Sequence, residues 1–297
     1  MTRQSPIQNP PSETRNPKSR DSKLENETLE EIELQLFLEA VFRYYGFDFR
    51  DYARASLKRR IWAAICSEGL TTISELQNKV VHHPDCFDRL ILAMSVNVTS
   101  LFRDPSFYLA FRKKVVPLLR TYPFVRIWHA GCSTGEEVYS MAILLEEEGL
   151  YDQSRIYATD MNEAVVRKAE AGIFPQASMK EYTTNYIRAG GMTSFSEYYT
   201  AQYENAILRS SLKENIVFSQ HNLATEGRFN EFNVILCRNV MIYFNKVLQE
   251  RTLDLFCGSL ERFGILALGR KESLRLTPYE EFFEPLDAGE QIYRRTG

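Results

Sequence analysis

A glycine-bearing turn followed by two glutamates is the first place in this chain where chemistry is expected. Residues 130–137 read Ala-Gly-Cys-Ser-Thr-Gly-Glu-Glu, between a short apolar segment and an amphipathic stretch. The glycine spacing is not Gly-x-Gly-x-x-Gly and the turn holds no lysine, so a dinucleotide site and a P-loop are both disfavoured. Carboxylates at a helix start gain from its dipole, so simple capping is one interpretation. The same carboxylates disfavour a phosphate at this position. The second interpretation is therefore a site for a cationic ligand such as S-adenosylmethionine (SAM), which carries an ammonium and a sulfonium.

A carboxylate also stands at the end of the next strand pattern. Residues 155–160 end in Asp160, roughly 20 to 25 residues beyond the glycine turn, where ribose hydroxyls are held in doubly wound folds. Capping of the following helix is the alternative, but Asn162 is already a suitable N-cap. The position therefore predicts that Asp160 binds a ribose.

Three further polar residues follow the apolar segment 232–237. Strand carboxyl ends face the ligand crevice in such sheets, so we expect Arg238, Asn239 and Tyr243 beside the reacting centre. The segment lacks the Pro-Pro-Tyr step expected of enzymes that methylate the amino groups of bases. That absence counts against a DNA or RNA amino methyltransferase.

The elements that must position these residues fall into three regions. Residues 1–23 are polar and contain four prolines, which predicts a disordered tail. Residues 24–120 show helical spacing of apolar side chains and predict an all-α domain. Strand and helix patterns alternate over residues 121–297, which predicts a doubly wound α/β domain with a mostly parallel sheet. A segment rich in tyrosine and serine, at about 173–215, interrupts this alternation and is expected to be an inserted β-subdomain.

Composition excludes several classes of protein. The net charge of −3 counts against bulk affinity for nucleic acid. The five cysteines contain no Cys-x-x-Cys pair and the four histidines show no ligand spacing, so neither a disulfide framework nor a metal site is expected. No apolar run approaches the roughly 18 residues of a membrane span. The polar N-terminus has no signal-peptide core, so we expect a cytoplasmic protein.

A row of basic residues marks one predicted helix in the N-terminal region. Arg50, Arg54 and Lys58 recur at four-residue steps, and Arg59 and Arg60 stand beside them. A solvated helix face is the plain interpretation, and docking to an acidic partner is the other.

Five segments together resemble the successive signatures of the CheR family of chemotaxis receptor methyltransferases. They are NVTSLFRD (97–104), GCSTGEEVYSMA (131–142), ATD (158–160), HNL (221–223) and CRNVMIYF (237–244), and the match runs in order over about residues 28–295. The resemblance implies an α/β, Rossmann-like SAM-dependent methyltransferase domain with a small β-subdomain insertion, preceded by an all-α domain that packs over the SAM site. It further implies cofactor contacts from Asn97, Thr99, Arg103, Glu136, Asp160, Asn222, Leu223, Arg238 and Asn239, with Arg103 and Tyr243 beside the transferred methyl group.

The activity implied by the resemblance is methyl transfer from SAM to glutamate carboxylates, which gives methyl esters and S-adenosylhomocysteine. The implied partners are the cytoplasmic methylation helices of methyl-accepting chemotaxis receptors, with the basic row as the docking face and a monomer as the default state. Two alternatives stay open: a SAM methyltransferase acting on a small molecule or RNA, and a non-catalytic relative that binds SAM or a receptor. The motifs do not name the receptor or its signalling array, or decide whether the β-subdomain binds a receptor tail.

Overall fold

Helices α1 to α4 form the N-terminal part of the computed structural model, which describes residues 18–95 and 98–296. They are α1 (Lys18–Tyr45), α2 (Arg54–Ser67), α3 (Ile73–His82) and α4 (Pro84–Met94). Residues 18–23, predicted as the end of a disordered tail, are helical, whereas residues 1–17 of that tail lie outside the described residues. A capping box starts α3, because the Thr72 side chain accepts from the Glu75 amide and the Glu75 carboxylate accepts from the Thr72 amide.

Alternating strands and helices make up the rest of the chain. In order they are α5 (Pro105–Lys114), α6 (Val116–Leu119), β1 (Val125–Ala130), α7 (Glu136–Glu147), β2 (Ser154–Asp160), α8 (Glu163–Ala171), β3 (Ile173–Pro175), α9 (Met179–Arg188), β4 (Tyr199–Gln202), β5 (Asn205–Leu208), β6 (Ile216–Gln220), β7 (Phe232–Cys237), α10 (Lys246–Ser259), β8 (Leu260–Leu268), β9 (Phe283–Asp287) and β10 (Ile292–Arg295). Among the described helices, none combines the length and the apolar content that a membrane crossing requires.

The main sheet has the strand order β6-β2-β1-β7-β8-β10-β9. The first five of these strands are parallel, and β10 and β9 pair antiparallel at one edge. Ile127 of β1 pairs with Ile156 on one side and Val234 on the other, so β1 lies at the centre of the five parallel strands. The strand order reverses between β1 and β7, and a ligand crevice is expected at the carboxyl ends of strands flanking such a point. The predicted doubly wound, mostly parallel sheet is confirmed.

The segment that interrupts the alternation forms a small antiparallel sheet in the order β3-β5-β4. It also contains helix α9, which the tyrosine-rich composition did not predict. Tyr182 and Tyr186 lie four residues apart on α9 and are both buried, so these aromatic residues serve as its core face. Below them, the Glu147 carboxylate accepts hydrogen bonds from Tyr186, from Tyr198 at 3.1 Å and from the Met192 amide at 2.8 Å.

The N-terminal helices share one hydrophobic core with one face of the main sheet. The connection from α1 to α2 meets the loop after β7, where Tyr52 and Phe244 form an isolated β-bridge and their rings lie 5.1 Å apart. The Ala53 amide donates to the Tyr243 carbonyl at 2.8 Å. These contacts fix the helical part over the carboxyl ends of the strands.

Candidate active site

A cavity of about 360 Å³ lies between the N-terminal helices and the carboxyl ends of β1, β2, β6 and β7. Its volume falls within the range of pockets that hold small molecules and cofactors. The helical part and its connection contribute Tyr52, Met94, Ser95, Val98, Thr99 and Arg103 to the wall. The strand ends contribute Gly131, Cys132, Ser133, Glu137, Asp160, Met161, His221, Asn222, Leu223, Arg238, Asn239, Val240, Tyr243 and Phe244.

The cavity brings together most of the residues singled out in the sequence. Those that line it are Thr99, Arg103, Asp160, Asn222, Leu223, Arg238, Asn239 and Tyr243. Asn97 lies outside the described residues. Glu136 is not part of the wall, because its carboxylate accepts hydrogen bonds from the Thr134 hydroxyl at 2.6 Å and the Tyr182 hydroxyl at 3.4 Å. The next residue, Glu137, lines the cavity instead.

Asp160 holds the two neighbouring loops together. One carboxylate oxygen accepts from the Ser133 amide at 3.0 Å and the other from the Asn162 amide at 3.1 Å. Burial raises the pKa of Asp160, and these backbone hydrogen bonds oppose the rise. Asn162 caps α8 by accepting from the Ala164 amide at 3.0 Å, as predicted. Because a carboxylate has about four acceptor positions, Asp160 retains capacity for further donors such as hydroxyls.

Glu137 belongs to a chain of charged groups that runs from the cavity wall into the protein. Its carboxylate contacts Nδ1 of His129 at 3.0 Å and accepts from Arg238 at 2.9 Å. The Arg238 guanidinium also donates to Asp104 at 3.0 Å and lies 4.0 Å from the centre of the Phe107 ring. Burial acts to raise the pKa of Glu137, but His129 and Arg238 outweigh it and the net pKa is lowered. Glu137 therefore stays ionised, and Arg238 is fixed in one orientation.

The backbone around the cavity is held in an uncommon conformation. Phe102, Asp104, Ser133 and Asn239 have φ values of 53°, 56°, 50° and 63°, in the left-handed region that non-glycine residues seldom adopt. Two of them flank Arg103, whose guanidinium donates to the Val98 carbonyl at 2.8 Å. Such conformations cluster at functional sites, where the surrounding structure holds them.

The backbone at Gly131 also lies very close to Val240. Gly131 has a φ of 84°, and a Cβ placed there would lie 2.5 Å from a methyl group of Val240. Only glycine fits this position, because both the backbone conformation and the adjacent cavity wall exclude a side chain.

The predicted basic face differs from the structure at one residue. Arg60 is 7% exposed, because it lies on the side of α2 that also buries Leu57 and Ile61. Its guanidinium donates to the Met94 carbonyl and lies 4.4 Å from the centre of the Tyr243 ring, behind the cavity wall. Arg60 is therefore not available for docking.

The other basic residues of the predicted face lie at the surface, and most pair with acidic residues. Arg50 contacts Glu39 and Asp48, Arg54 lies 3.5 Å from Glu31, and Lys58 lies 3.4 Å from Glu30 and 3.6 Å from Glu31. Arg59 is exposed and forms no salt bridge with any residue in the described part of the chain. Most of the face is thus a mixed-charge seam between α1 and α2.

Within the described residues, no set of three or more His, Cys, Asp or Glu side chains is gathered so as to hold a metal ion.

Two family models match the chain over nearly its whole described length. The one described as CheR methyltransferase, SAM binding domain, matches residues 97–288, and the one described as CheR methyltransferase, all-alpha domain, matches residues 32–95. The chain belongs to the CheR methyltransferase family. It is accordingly a methyltransferase with a SAM-binding domain, and the resemblance found in the sequence is confirmed. We propose that α5 and α6 belong to the SAM-binding domain, which moves the boundary predicted at residue 120 to about residue 96.

Three curated relatives align with this chain over most of their own length. Pseudomonas putida Cher3, named as a methyltransferase, is 50% identical over 266 residues, which cover 90% of this chain and 97% of the relative. The chemotaxis protein methyltransferase of Listeria monocytogenes is 30% identical and that of Escherichia coli 27%. These two matches cover 80% and 78% of this chain, and 88% and 81% of the relatives.

Proposed function

We propose that this CheR-family protein transfers the methyl group of SAM to glutamate side chains of chemotaxis receptors. The products are glutamate methyl esters and S-adenosylhomocysteine. The observation that carries the proposal is the cavity, where residues from four strand ends and from the helical part meet around one volume suited to a cofactor. The relatives named chemotaxis protein methyltransferase in Listeria monocytogenes, Salmonella typhimurium and Escherichia coli support the receptor as substrate.

The cavity wall has the chemistry that SAM requires. Asp160 would accept hydrogen bonds from the ribose hydroxyls, and the apolar side chains of Met161 and Leu223 would flank the adenine. The ionised Glu137 supplies negative charge to the wall and suits a ligand that carries an ammonium and a sulfonium. Thr99, Asn222 and Asn239 offer further polar contacts. Bound SAM supplies an electrophilic methyl group.

Glutamate suits this site as acceptor because its carboxylate is already ionised. With an ordinary pKa near 4.3, the acceptor needs no general base at neutral pH. The histidine in the cavity wall, His221, already contacts the Gly227 carbonyl through Nε2 at 3.1 Å. The protein is therefore expected to contribute positioning rather than proton transfer.

Arg103 and Tyr243 are the residues that we place beside the transferred methyl group. Methyl transfer from a sulfonium to a carboxylate removes both charges, so tight ground-state pairing of the two would slow it. One donor of the Arg103 guanidinium is used on the Val98 carbonyl, which holds the side chain at the cavity mouth. Arg103 then orients the incoming carboxylate, and the Tyr243 ring shapes the space around the methyl group.

We propose that the receptor docks on the basic face at Arg59, beside the mixed-charge seam between α1 and α2. Chemoreceptor methylation helices are rich in glutamate by the family resemblance, and Arg59 is exposed without an intramolecular salt bridge in the described structure. Arg54 and Lys58 lie beside it but already pair with α1. Arg59 is therefore the strongest candidate for a contact with the receptor.

The proposal is tested with methyl-labelled SAM and the cytoplasmic part of a receptor from the same cell. Glutamate methyl esters release their label as methanol in mild base, so we expect base-labile counts on the receptor. Arg103→Ala should lower the rate of methyl transfer far more than it weakens SAM binding measured by calorimetry. The matched control is Arg167→Ala, which removes an exposed arginine of α8 that pairs with Glu163 and should change neither quantity.

Three results would contradict parts of this account. Equal losses of rate and SAM affinity in Arg103→Ala would make Arg103 only a cofactor contact. Base-stable label on the receptor would point to methylation of nitrogen. Label transferred to RNA or a small molecule, but to no receptor in a panel, would show that the receptor is not the substrate.

A further inference from the structure

A buried carboxylate lies directly beneath the loop that follows β7. One Glu272 oxygen accepts hydrogen bonds from the Asn239 amide at 2.9 Å and the Gly269 amide at 2.6 Å. The other accepts from the amides of Val240 at 2.9 Å and Ile242 at 3.2 Å. Four backbone donors thus converge on a single side chain that is 6% exposed.

This carboxylate has an unusual set of partners. Glu272 forms no salt bridge with a described residue, so these four amides take the place of a cation. Convergent backbone N–H groups make an anion-binding concavity. Without the carboxylate, the buried Gly269 amide and the three part-buried amides would lose their acceptor. The loop conformation and the Glu272 carboxylate therefore depend on each other.

The loop held in this way carries residues of the cavity wall. Asn239, with a φ of 63°, donates its backbone N–H to Glu272 and lines the cavity. Val240 and Tyr243 of the same loop line the cavity as well. The approach is close, because a Cβ added to Gly269 would lie 2.7 Å from the Asn239 nitrogen and 2.6 Å from the Glu272 carboxylate. Among the hydrogen bonds of the described residues, these four amides have no acceptor other than Glu272.

We propose that Glu272 is a positioning residue whose acceptor-only carboxylate sets the Asn239–Tyr243 loop in the conformation that binds SAM. The inference rests on the proposed function in assigning Asn239 to the cofactor and Tyr243 to the methyl group. It requires four acceptor positions rather than a side chain of a certain size. Glutamine has nearly the same shape, but its NH₂ group would face two backbone N–H donors in either orientation of the amide.

The test measures SAM binding by titration calorimetry with Glu272→Gln, at a temperature well below the unfolding midpoint of the variant. We expect the dissociation constant for SAM to rise by about tenfold or more, which is the factor that corresponds to the free-energy cost of one unsatisfied buried donor. The binding stoichiometry should stay near that of the unaltered protein. Gly269→Ala is the second variant, because it keeps the carboxylate but displaces the loop, and it should weaken SAM binding in the same direction. If Glu272→Gln does not fold, Gly269→Ala alone tests the inference.

The matched control is Glu147→Gln, which alters another buried carboxylate that pairs with Arg112, accepts from Tyr198 and the Met192 amide, and does not line the cavity. It should lower the unfolding temperature and leave the dissociation constant for SAM unchanged. A merely structural role of Glu272 would reduce the stoichiometry, as unfolded molecules drop out, with no change in the dissociation constant. That result, or equal affinity in Glu272→Gln and the unaltered protein, would overturn the inference. Failure of the unaltered protein to bind SAM would instead overturn the proposed function.

Discussion

Replacement of Arg238 by methionine should lower the free energy of unfolding by about 3–5 kcal/mol, the usual cost of removing one partner of a buried ion pair. The Arg238 side chain is 1% exposed, and its two carboxylate partners are 20% and 28% exposed, so solvent screens the pairs little. Methionine can keep the contact with the Phe107 ring that the guanidinium now makes, so the loss reports charge pairing rather than lost volume. The group left uncompensated is chiefly Glu137, whose carboxylate then keeps His129 as its remaining side-chain partner among the described residues.

The assay is urea unfolding of Arg238→Met, of Glu137→Gln and of the double variant. Because Glu137→Gln removes the carboxylate that Arg238→Met leaves unpaired, the double variant should be destabilised by less than the sum of the single changes. A coupling energy of about 1–3 kcal/mol is expected for groups in direct contact. Losses that add to within about 0.5 kcal/mol, or a loss below about 1 kcal/mol for Arg238→Met, would refute the reasoning.

Three further predictions concern the turn, the docking surface and pH. Gly131→Ala and Gly46→Ala both place a side chain at positive φ, which costs roughly 1–2 kcal/mol of stability. Only the new methyl group of Gly131→Ala would meet Val240, so only this variant should also weaken SAM binding in calorimetry. Equal SAM affinities of the two variants would contradict this packing argument. Arg59→Glu should raise the KM for receptor several-fold with SAM affinity unchanged, and an unaltered KM would remove Arg59 from the docking surface. Because the folded-state pKa of Glu137 is lowered, its stabilisation is present above the ordinary glutamate value of about 4.3 and is lost as pH falls below it. Glu137→Gln should therefore lose less stability than the unaltered protein on acidification, and parallel losses would count against this assignment.

The positions of the site residues along the strands could be predicted from the sequence. Asp160 and Arg238 follow apolar segments, and the ends of parallel strands meet at one edge of the sheet, so their convergence on a cavity needs only the strand pattern. The family resemblance added Thr99 and Arg103, which stand in an irregular connection that periodicity does not describe.

Helix rotation limited the prediction elsewhere. Glu136 and Glu137 begin the same helix about 100° apart, and composition does not say which of them turns toward the cavity. For the same reason, the sequence prediction put Arg60 on an exposed helix face. In the structure Arg60 lies on the buried side of α2, with Leu57 and Ile61. One residue along a helix is enough to change a side chain from solvent to core.

Glu272 is the residue that sequence reasoning missed altogether. It lies 33 residues beyond Asn239, in a loop without a recognised motif, and its partners are backbone amides that carry no side-chain identity. The role of Glu272 is recognised from the four backbone N–H groups that converge on its carboxylate. That pattern exists only once the strands have been assembled.

Peptide mapping by mass spectrometry tests most directly whether this protein esterifies glutamate side chains of a chemotaxis receptor. The receptor's cytoplasmic part would be incubated with the protein and SAM that carries a deuterated methyl group, then digested under mildly acidic conditions that preserve esters. We predict the deuterated methyl group on glutamate side chains, absent when Arg103→Ala replaces the active protein. Consumption of SAM with the deuterated methyl on lysine or arginine nitrogen, or on no receptor residue at all, would contradict the account.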